Sequence, residues 1–431
     1  MPTARVVSDA PSGVDLLTFN RYVIPLCQIL TDPSSETPLT IGILGVWGSG
    51  KSTLLNLIDK RLDRATGRNG LDFVRVHFNP WVYREEKNLL IPFLHTLRDH
   101  LEASAGQRFS KSAKKVAKVL AEVGANTLLR TVTAGQVSLK DLEEREKKYL
   151  AKQRRTESAM RLLRTDMEEA INSATNDGKN GRLVFFVDDL DRCDPFQVLD
   201  LLESVKLFLE QRFCFFLLAM DEEVITRGIQ IKYNQYEFSE ERKAVIGAEY
   251  LDKMVQVPVY LYPLAADQIQ AYIERLPLLD VIRQQAHSLA RTMLPNPRKI
   301  KRICNLLALN LAIRDQDKGL QQRIDPAVLA KLIVLQVQDS RLYREVLQIP
   351  ELTDYLRRVF LDAEDKGRVD PKKAADFSGL AGNQKRVQEI CDECARRAGW
   401  LRDIFHTGAV LPSSGMDLDP YFTMLGREPA A

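Results

Sequence analysis

The sequence predicts an α/β protein, three layers built on a mainly parallel sheet, with a helical insertion inside the sheet region and a C-terminal helical domain. Three observations carry that prediction. Leu183–Val187 and Phe213–Ala219 are runs apolar on both faces, as interior parallel strands are. Long helical stretches separate successive strands, as crossovers between parallel neighbours require. Beyond Pro263 the pattern changes to helices alone.

At 431 residues the chain exceeds one ordinary domain. We divide it into a helical lead and linker over 1–38, a sheet core over 39–262 with the insertion at about 101–175, a helical lid over 263–345, and a helical region with a tail over 346–431. Lysine and arginine number 61 against 58 acids, a net charge of +3 that singles out neither nucleic acid nor a membrane surface as partner. Six scattered cysteines, with no signal-peptide core behind Met1, predict reduced thiols and a cytoplasmic location. No apolar window reaches the length of about 18 residues that a membrane-spanning helix needs.

Taken in order, Asp15 is expected to cap a helix running through Leu26, and Thr31–Pro38 is a turn-rich linker. Leu39–Leu44 reads as a buried strand, and Leu54, Leu55, Leu57 and Ile58 fit one face of the helix after the next loop. Phe73–Phe78 alternates more, so it is less central, and Pro80 stops it. Asn88 caps a helix carrying Phe93 and Leu97. Lys111, Lys114, Lys115 and Lys118 suggest an amphipathic helical hairpin within 101–140, with a membrane-surface helix as the alternative. A charged helix follows from Lys140 to Ile171, with Met167 and Ile171 on its buried stripe. After Leu183–Val187, Asp194 and Pro195 start a helix. Met254–Val259 is the last strand, placed at an edge or near its own end by Pro258. Helices are expected at Ala265–Leu276, Val281–Met293, Pro297–Ile313, Pro326–Val337 and Asn383–Trp400.

Between the first strand and its helix lies Gly45-Val46-Trp47-Gly48-Ser49-Gly50-Lys51-Ser52, followed by Thr53. Strand, glycine-rich loop and helix together form the context in which G-x-x-x-x-G-K-[ST] cradles phosphate. Glycines let backbone N–H groups converge, and the helix start adds partial positive charge. Lys51 is expected at the β- and γ-phosphates, and Ser52 on Mg²⁺.

Ligands of a parallel sheet sit beyond the carboxyl ends of its strands, so Asp188, Asp189 and Asp221 share a rim with Lys51. Two adjacent carboxylates at a buried strand end repel one another unless a cation is present. Asp188 is therefore read as the Mg²⁺ partner, and Asp189 as the base for an attacking water. Asp191 and Arg192 either join this chemistry or pair with each other in solvent. Asp221 is either a polar sensor of the γ-phosphate or the cap of the helix starting at Glu222. Arg298 lies in the first turn of a helix capped by Asn296, where a cation opposes the helix dipole. With Lys299, Lys301 and Arg302 it forms either a nucleic-acid patch or, our preferred reading, a cation reaching from the helical domain to the nucleotide. The lone Cys391-Asp392-Glu393-Cys394 lacks two further zinc ligands and reads as two helix cysteines.

With these residues in place, the chain resembles the KAP P-loop NTPases. The resemblance rests on the loop with its internal Trp47, on Phe78-Asn79-Pro80-Trp81, Val187-Asp188-Asp189-Leu190-Asp191-Arg192-Cys193 and Ala219-Met220-Asp221, on Tyr250–Lys253 leading to Val257-Pro258, and on Asn296–Arg302. It runs from about Asp15 to Asn310, and Pro420-Tyr421-Phe422 faintly matches the family's tail. The resemblance implies ATP as nucleotide, a catalytic acid directly after the metal-binding Asp, and an extra strand between the two motifs, with which Phe73–Phe78 agrees. Many members carry transmembrane helices where this chain has the lysine-bearing 101–140 stretch. A bacterial member excludes phage, which implies a defence role.

The expected function is an ATP-hydrolysing conformational switch acting through a protein partner or self-association. Lys51, Asp189 and Arg298 serve the reaction, and Arg192 is the candidate for completing a neighbour's site. A scaffold stabilised by ATP with little turnover and a nucleic-acid-acting ATPase are the alternatives.

Overall fold

The computed structural model describes residues 5–66, 72–86, 88–105, 161–162, 164–179, 181–199, 201–202, 211–232, 239–366, 383–397, 399–406, 408–413 and 415–426. They form two compact units, Pro11–Tyr262 and Pro263–Ala431, the second joined by Met1–Ala10.

The first unit is built on five parallel strands: β1 (Leu39–Leu44), β2 (Asp72–Phe78), β3 (Gly181–Val187), β4 (Cys214–Met220) and β5 (Val257–Tyr260), in the order β2-β3-β4-β1-β5. Every residue of β3 and β4 is buried, as two-sided apolar runs in a covered parallel sheet should be. Phe185 and Phe216 stack across these strands, with ring centroids 4.5 Å apart. The alternating β2 and the proline-bearing β5 are the two edges. The strand lying between β1 and β3 is β4, so Phe73–Phe78 does not occupy the extra position between the two motifs.

Helix boundaries differ from the sequence pattern in several places, and the helix expected over Asn383–Trp400 spans Gln384–Arg396, with Trp400 starting another. Helix α1 spans Asn20–Thr31, because the Asp15 carboxylate turns the chain ahead of it by accepting the N–H groups of Leu17, Phe19 and Asn20. Met254 closes the helix Glu240–Met254, and the strand starts only at Val257. Val281–Met293 is two helices, Asp280–Gln284 and Ala286–Thr292, parted at Gln285 (φ −93°, ψ 3°). Residues 164–174 are helical with Met167 and Ile171 buried, whereas the predicted hairpin beyond residue 105 lies outside the described residues.

The second unit is helical. Pro297–Arg314 and Pro326–Gln338 supply much of its core, and the run Val328–Leu335 is buried throughout. Residues 5–10 lie along the former helix: Asn305 accepts the Val7 N–H at 2.7 Å and donates to the Val7 carbonyl at 2.8 Å. Helices also form over Ser340–Gln348, Leu352–Lys366 and Gly415–Met424. Tyr421 and Phe422 are buried there, and the Tyr421 hydroxyl accepts the Asp325 N–H at 2.9 Å.

Candidate functional site

The site grows from the junction of β1 with helix α2 (Lys51–Ala65). Adjacent registers of β1 with β4 and of β4 with β3 bring Leu44, Met220 and Val187 to one rim. The loop leaves β1 at Gly45, whose N–H donates to the Met220 carbonyl at 3.3 Å. A Cβ on Gly45 would meet the Ser49 hydroxyl at 2.8 Å. Gly48 (φ 86°) and Gly50 (φ 105°) take the left-handed turns that bring the chain into α2. The first turn of α2 carries no acidic residue, so its N–H groups face the loop with their partial positive charge intact. The buried Ser49 hydroxyl has no hydrogen-bond partner among the described residues, as a donor built for a phosphate oxygen would.

Lys51 and Ser52 connect this loop to the tip of β3. The Lys51 ammonium donates to the Gly45 carbonyl at 2.8 Å, the Val46 carbonyl at 3.4 Å and Asp191 Oδ2 at 2.8 Å. The Ser52 side chain lies close enough to Asp188 to favour its ionised form. Burial, foremost, pushes the Asp188 carboxyl above its ordinary range; the Ser52 hydroxyl and the Asp189 N–H pull it down, and the charges of Asp189 and Asp191 push it up. A dication beside Asp188 would relieve that burial and repulsion. Mg²⁺ commonly takes one or two protein carboxylates and completes its shell with phosphates and water. The pair Ser52 and Asp188 fits that habit, and no cluster of three His, Cys, Asp or Glu side chains suited to a metal occurs among the described residues.

Asp189 has φ 58°, a left-handed turn that separates its side chain from that of Asp188. Its Oδ2 accepts Asn79 Nδ2 at 2.9 Å, and its Oδ1 lies 2.8 Å from Arg192 Nε. Arg192 in turn sits 6.0 Å from the centroid of Trp47 and 5.6 Å from that of Trp81, so two aromatic faces hold the guanidinium. Asp191 and Arg192 therefore do not pair with each other: each reaches a different residue of the rim. Sequence reasoning assigned no site role to Asn79, and it weighed Asp191 for the site without naming Lys51 as its partner. Asn79 could have been found as a polar side chain at the carboxyl end of β2, whereas no local signal marks Asp191 as the partner of Lys51.

The remaining expected residues are more dispersed. Val46 and Trp47 are largely exposed, Trp47 by 61%. Thr53 is buried and its hydroxyl accepts the Ser12 N–H at 3.4 Å. Asp221 caps the helix Glu222–Lys232, accepting the Glu223 N–H at 3.1 Å. Arg298 belongs to the second unit, where its Nε lies 2.8 Å from Asp9. Cys391 and Cys394 are buried, which pushes both thiols up to about 12 and leaves them unreactive.

Comparison with known proteins places this geometry. The model of the KAP family P-loop domain matches residues 19–314. The phage T7 exclusion protein of Escherichia coli K12 is 24% identical over 254 residues, 53% of this chain and 31% of that protein. Kinase D-interacting substrate of 220 kDa from Homo sapiens is 32% identical over 65 residues, 15% of this chain and 4% of that protein. This chain thus spans less than a third of either relative's length. Among solved structures, the Aeropyrum pernix ORC2 protein aligns at 12% identity and TM-score 0.37, covering 95% of this chain and 85% of that one, a likeness too loose to bear on function. With the family's model matching most of its length, the chain belongs to the KAP family of P-loop NTPases.

Proposed function

We propose that the chain binds Mg²⁺-ATP at the carboxyl rim of the sheet and hydrolyses it, and that the cycle works as a conformational switch. The observation that carries this reading is the buried 2.8 Å contact between Lys51, behind the phosphate loop, and Asp191, in the turn after the acidic strand, which brings the two motifs to one rim. In this reading the loop N–H groups and the Ser49 hydroxyl hold phosphate, and Lys51 bears on the β- and γ-phosphates. Ser52 and Asp188 would hold Mg²⁺, which when bound neutralises charge developing on the phosphate oxygens.

Asp189 is the base. It takes a proton from water as the water oxygen bonds to the γ-phosphorus and the β–γ bridging bond breaks, leaving ADP and phosphate. Asn79 and Arg192 each occupy one acceptor site on a different oxygen of Asp189. An ionised carboxylate offers about four such sites, so lone pairs remain for the water. Asp221 is read as a helix cap. Arg298, whose Nε lies 2.8 Å from Asp9, stays a candidate catalytic cation, tested by Arg298→Ala in a phosphate-release assay.

The nucleic-acid reading is the weaker one. Lys301, the neighbour of Arg298 in the basic cluster, spends its ammonium on the Ser8 carbonyl at 2.9 Å. The name of the Escherichia coli relative supports a role in excluding phage, with a partner protein or a second copy of the chain receiving the switch. Phosphate release by wild type, Lys51→Ala and Asp189→Asn tests the proposal. Loss of release in both variants is expected, and equal rates in all three would remove it. A thermal shift with Mg²⁺-ATP but no phosphate release would favour the ATP-stabilised scaffold instead.

A further inference from the structure

An ammonium has three N–H donors. Lys51 gives two of them to carbonyls of its own loop, at Gly45 and Val46. The third goes to Asp191, which lies on another element, the short 3-10 turn Leu190–Arg192 behind β3. The pair is 2.8 Å apart, with side-chain exposures of 7% for Lys51 and 5% for Asp191. All three donors are therefore committed. The two carbonyl bonds belong to the loop's own shape, so the carboxylate is the acceptor that a phosphate oxygen would replace. Its charge also bears on the rim, since it helps push the Asp188 carboxyl up.

We infer that Asp191 is a built-in competitor for the Lys51 ammonium, a positioning residue that holds Lys51 where phosphate would and must be exchanged for it. The exchange has a second consequence. Asp191 shares its turn with Arg192, which bridges to Asp189 and faces Trp47 and Trp81. Release of Asp191 frees the anchor of that turn, so phosphate occupancy is passed to the surface formed by Arg192 and the two indoles. This inference rests on the nucleotide reading above.

The test is calorimetry of Mg²⁺-ADP with the full chain, wild type against Asp191→Asn, a substitution that keeps the side chain's shape and an acceptor while removing its charge. A competitor's loss predicts binding tighter by about ten-fold, the scale of one close charge pair exchanged. A purely structural pair predicts the opposite, because removing one partner of a buried ion pair loosens its surroundings. Binding by Asp191→Asn that equals or falls below wild type overturns the inference and leaves the nucleotide reading standing. No heat from either protein removes both.

Should the variant fail to fold, the Trp47→Phe/Trp400→Phe protein, in which Trp81 is the one tryptophan left and Asp191 is intact, carries the test. The emission of Trp81 is expected to change when Mg²⁺-ADP binds, and no change in a protein that gives binding heat overturns the proposed release of the turn.

Discussion

Lys51, the first residue of the helix behind the glycine-rich loop, donates a 2.8 Å hydrogen bond to Asp191, in the turn just past the tip of β3. The bond exists because β4 seats β1 and β3 on its two sides, which brings two distant stretches of sequence to one rim. It also leaves Asp188 in a buried setting with Asp189 and Asp191 close by.

That setting has a thermodynamic sign. The folded chain holds the Asp188 proton more tightly than the unfolded chain does, because burial raises the carboxyl. The group's favourable contribution is present at low pH and is lost as pH rises through the raised value. Near neutrality the charge is a standing cost of about 1.4 kcal/mol for each pKa unit of the raise. Asp188→Asn is therefore expected to raise the melting temperature of the Mg²⁺-free protein at about pH 7.5, and to do so much less at about pH 4. Melting curves at the two pH values check this, and an equal shift at both would contradict it.

Asn79 should act on turnover and not on binding. It touches Asp189 at 2.9 Å and, among the described residues, makes no hydrogen bond to the glycine-rich loop. Asn79→Ala leaves Asp189 held by Arg192 alone, and a misplaced base costs on the order of 10–100-fold in rate. Phosphate release should fall by that factor while the Kd for Mg²⁺-ATP stays within about two-fold of wild type. A weakened Kd with unchanged turnover would assign Asn79 to nucleotide binding instead.

Gly50 has two separate reasons to be glycine. Its φ is +105°, and a Cβ there would meet the Phe19 ring at 2.8 Å. Gly50→Ala is expected to destabilise the protein by roughly 1–3 kcal/mol, the usual cost of a side chain forced into such a conformation. Urea unfolding measures it, and a change below about 0.5 kcal/mol, the ordinary range of surface substitutions, would show that the loop relaxes at no cost.

Lys331 provides a pH test of the helical unit. Its ammonium is buried and donates to the Ile404 carbonyl at 2.7 Å. Burial lowers its pKa to about 8, with Asp403 opposing. The folded state thus binds this proton less tightly than the unfolded state, and stability from this group grows as pH rises from about 8 toward the ordinary lysine value. Lys331→Met removes that gain. The stability difference between variant and wild type should move by roughly 1–2 kcal/mol in favour of wild type between about pH 7 and about pH 10, after discounting for solvent screening. A difference independent of pH would contradict it.

The sheet was legible because each strand's position left its mark in composition. The covered β3 and β4 are apolar on both faces, while β2 alternates and β5 holds a proline at the two edges. The phosphate loop was legible because three glycines and a lysine at fixed spacing have few other uses. The reach of Asp191 to Lys51 was not legible, because the direction of a carboxylate after a strand depends on the left-handed turn at Asp189, and the partner it reaches is 140 residues away. The break at Gln285 has no proline or glycine to announce it, and the apolar period continues across it. The helix at Gly415–Met424 was hidden by Pro420 within it, although Tyr421 and Phe422 anchor it to the core.

The central claim is that Lys51, Ser52 and Asp188 form one Mg²⁺-nucleotide site. The most direct test is calorimetric titration of the full chain with ATP in Mg²⁺ and in EDTA, repeated with Lys51→Ala. The account predicts saturable heat with Mg²⁺, a weaker response in EDTA and none from the variant. Absence of heat from wild type at millimolar Mg²⁺-ATP, or equal heat from Lys51→Ala, would contradict it.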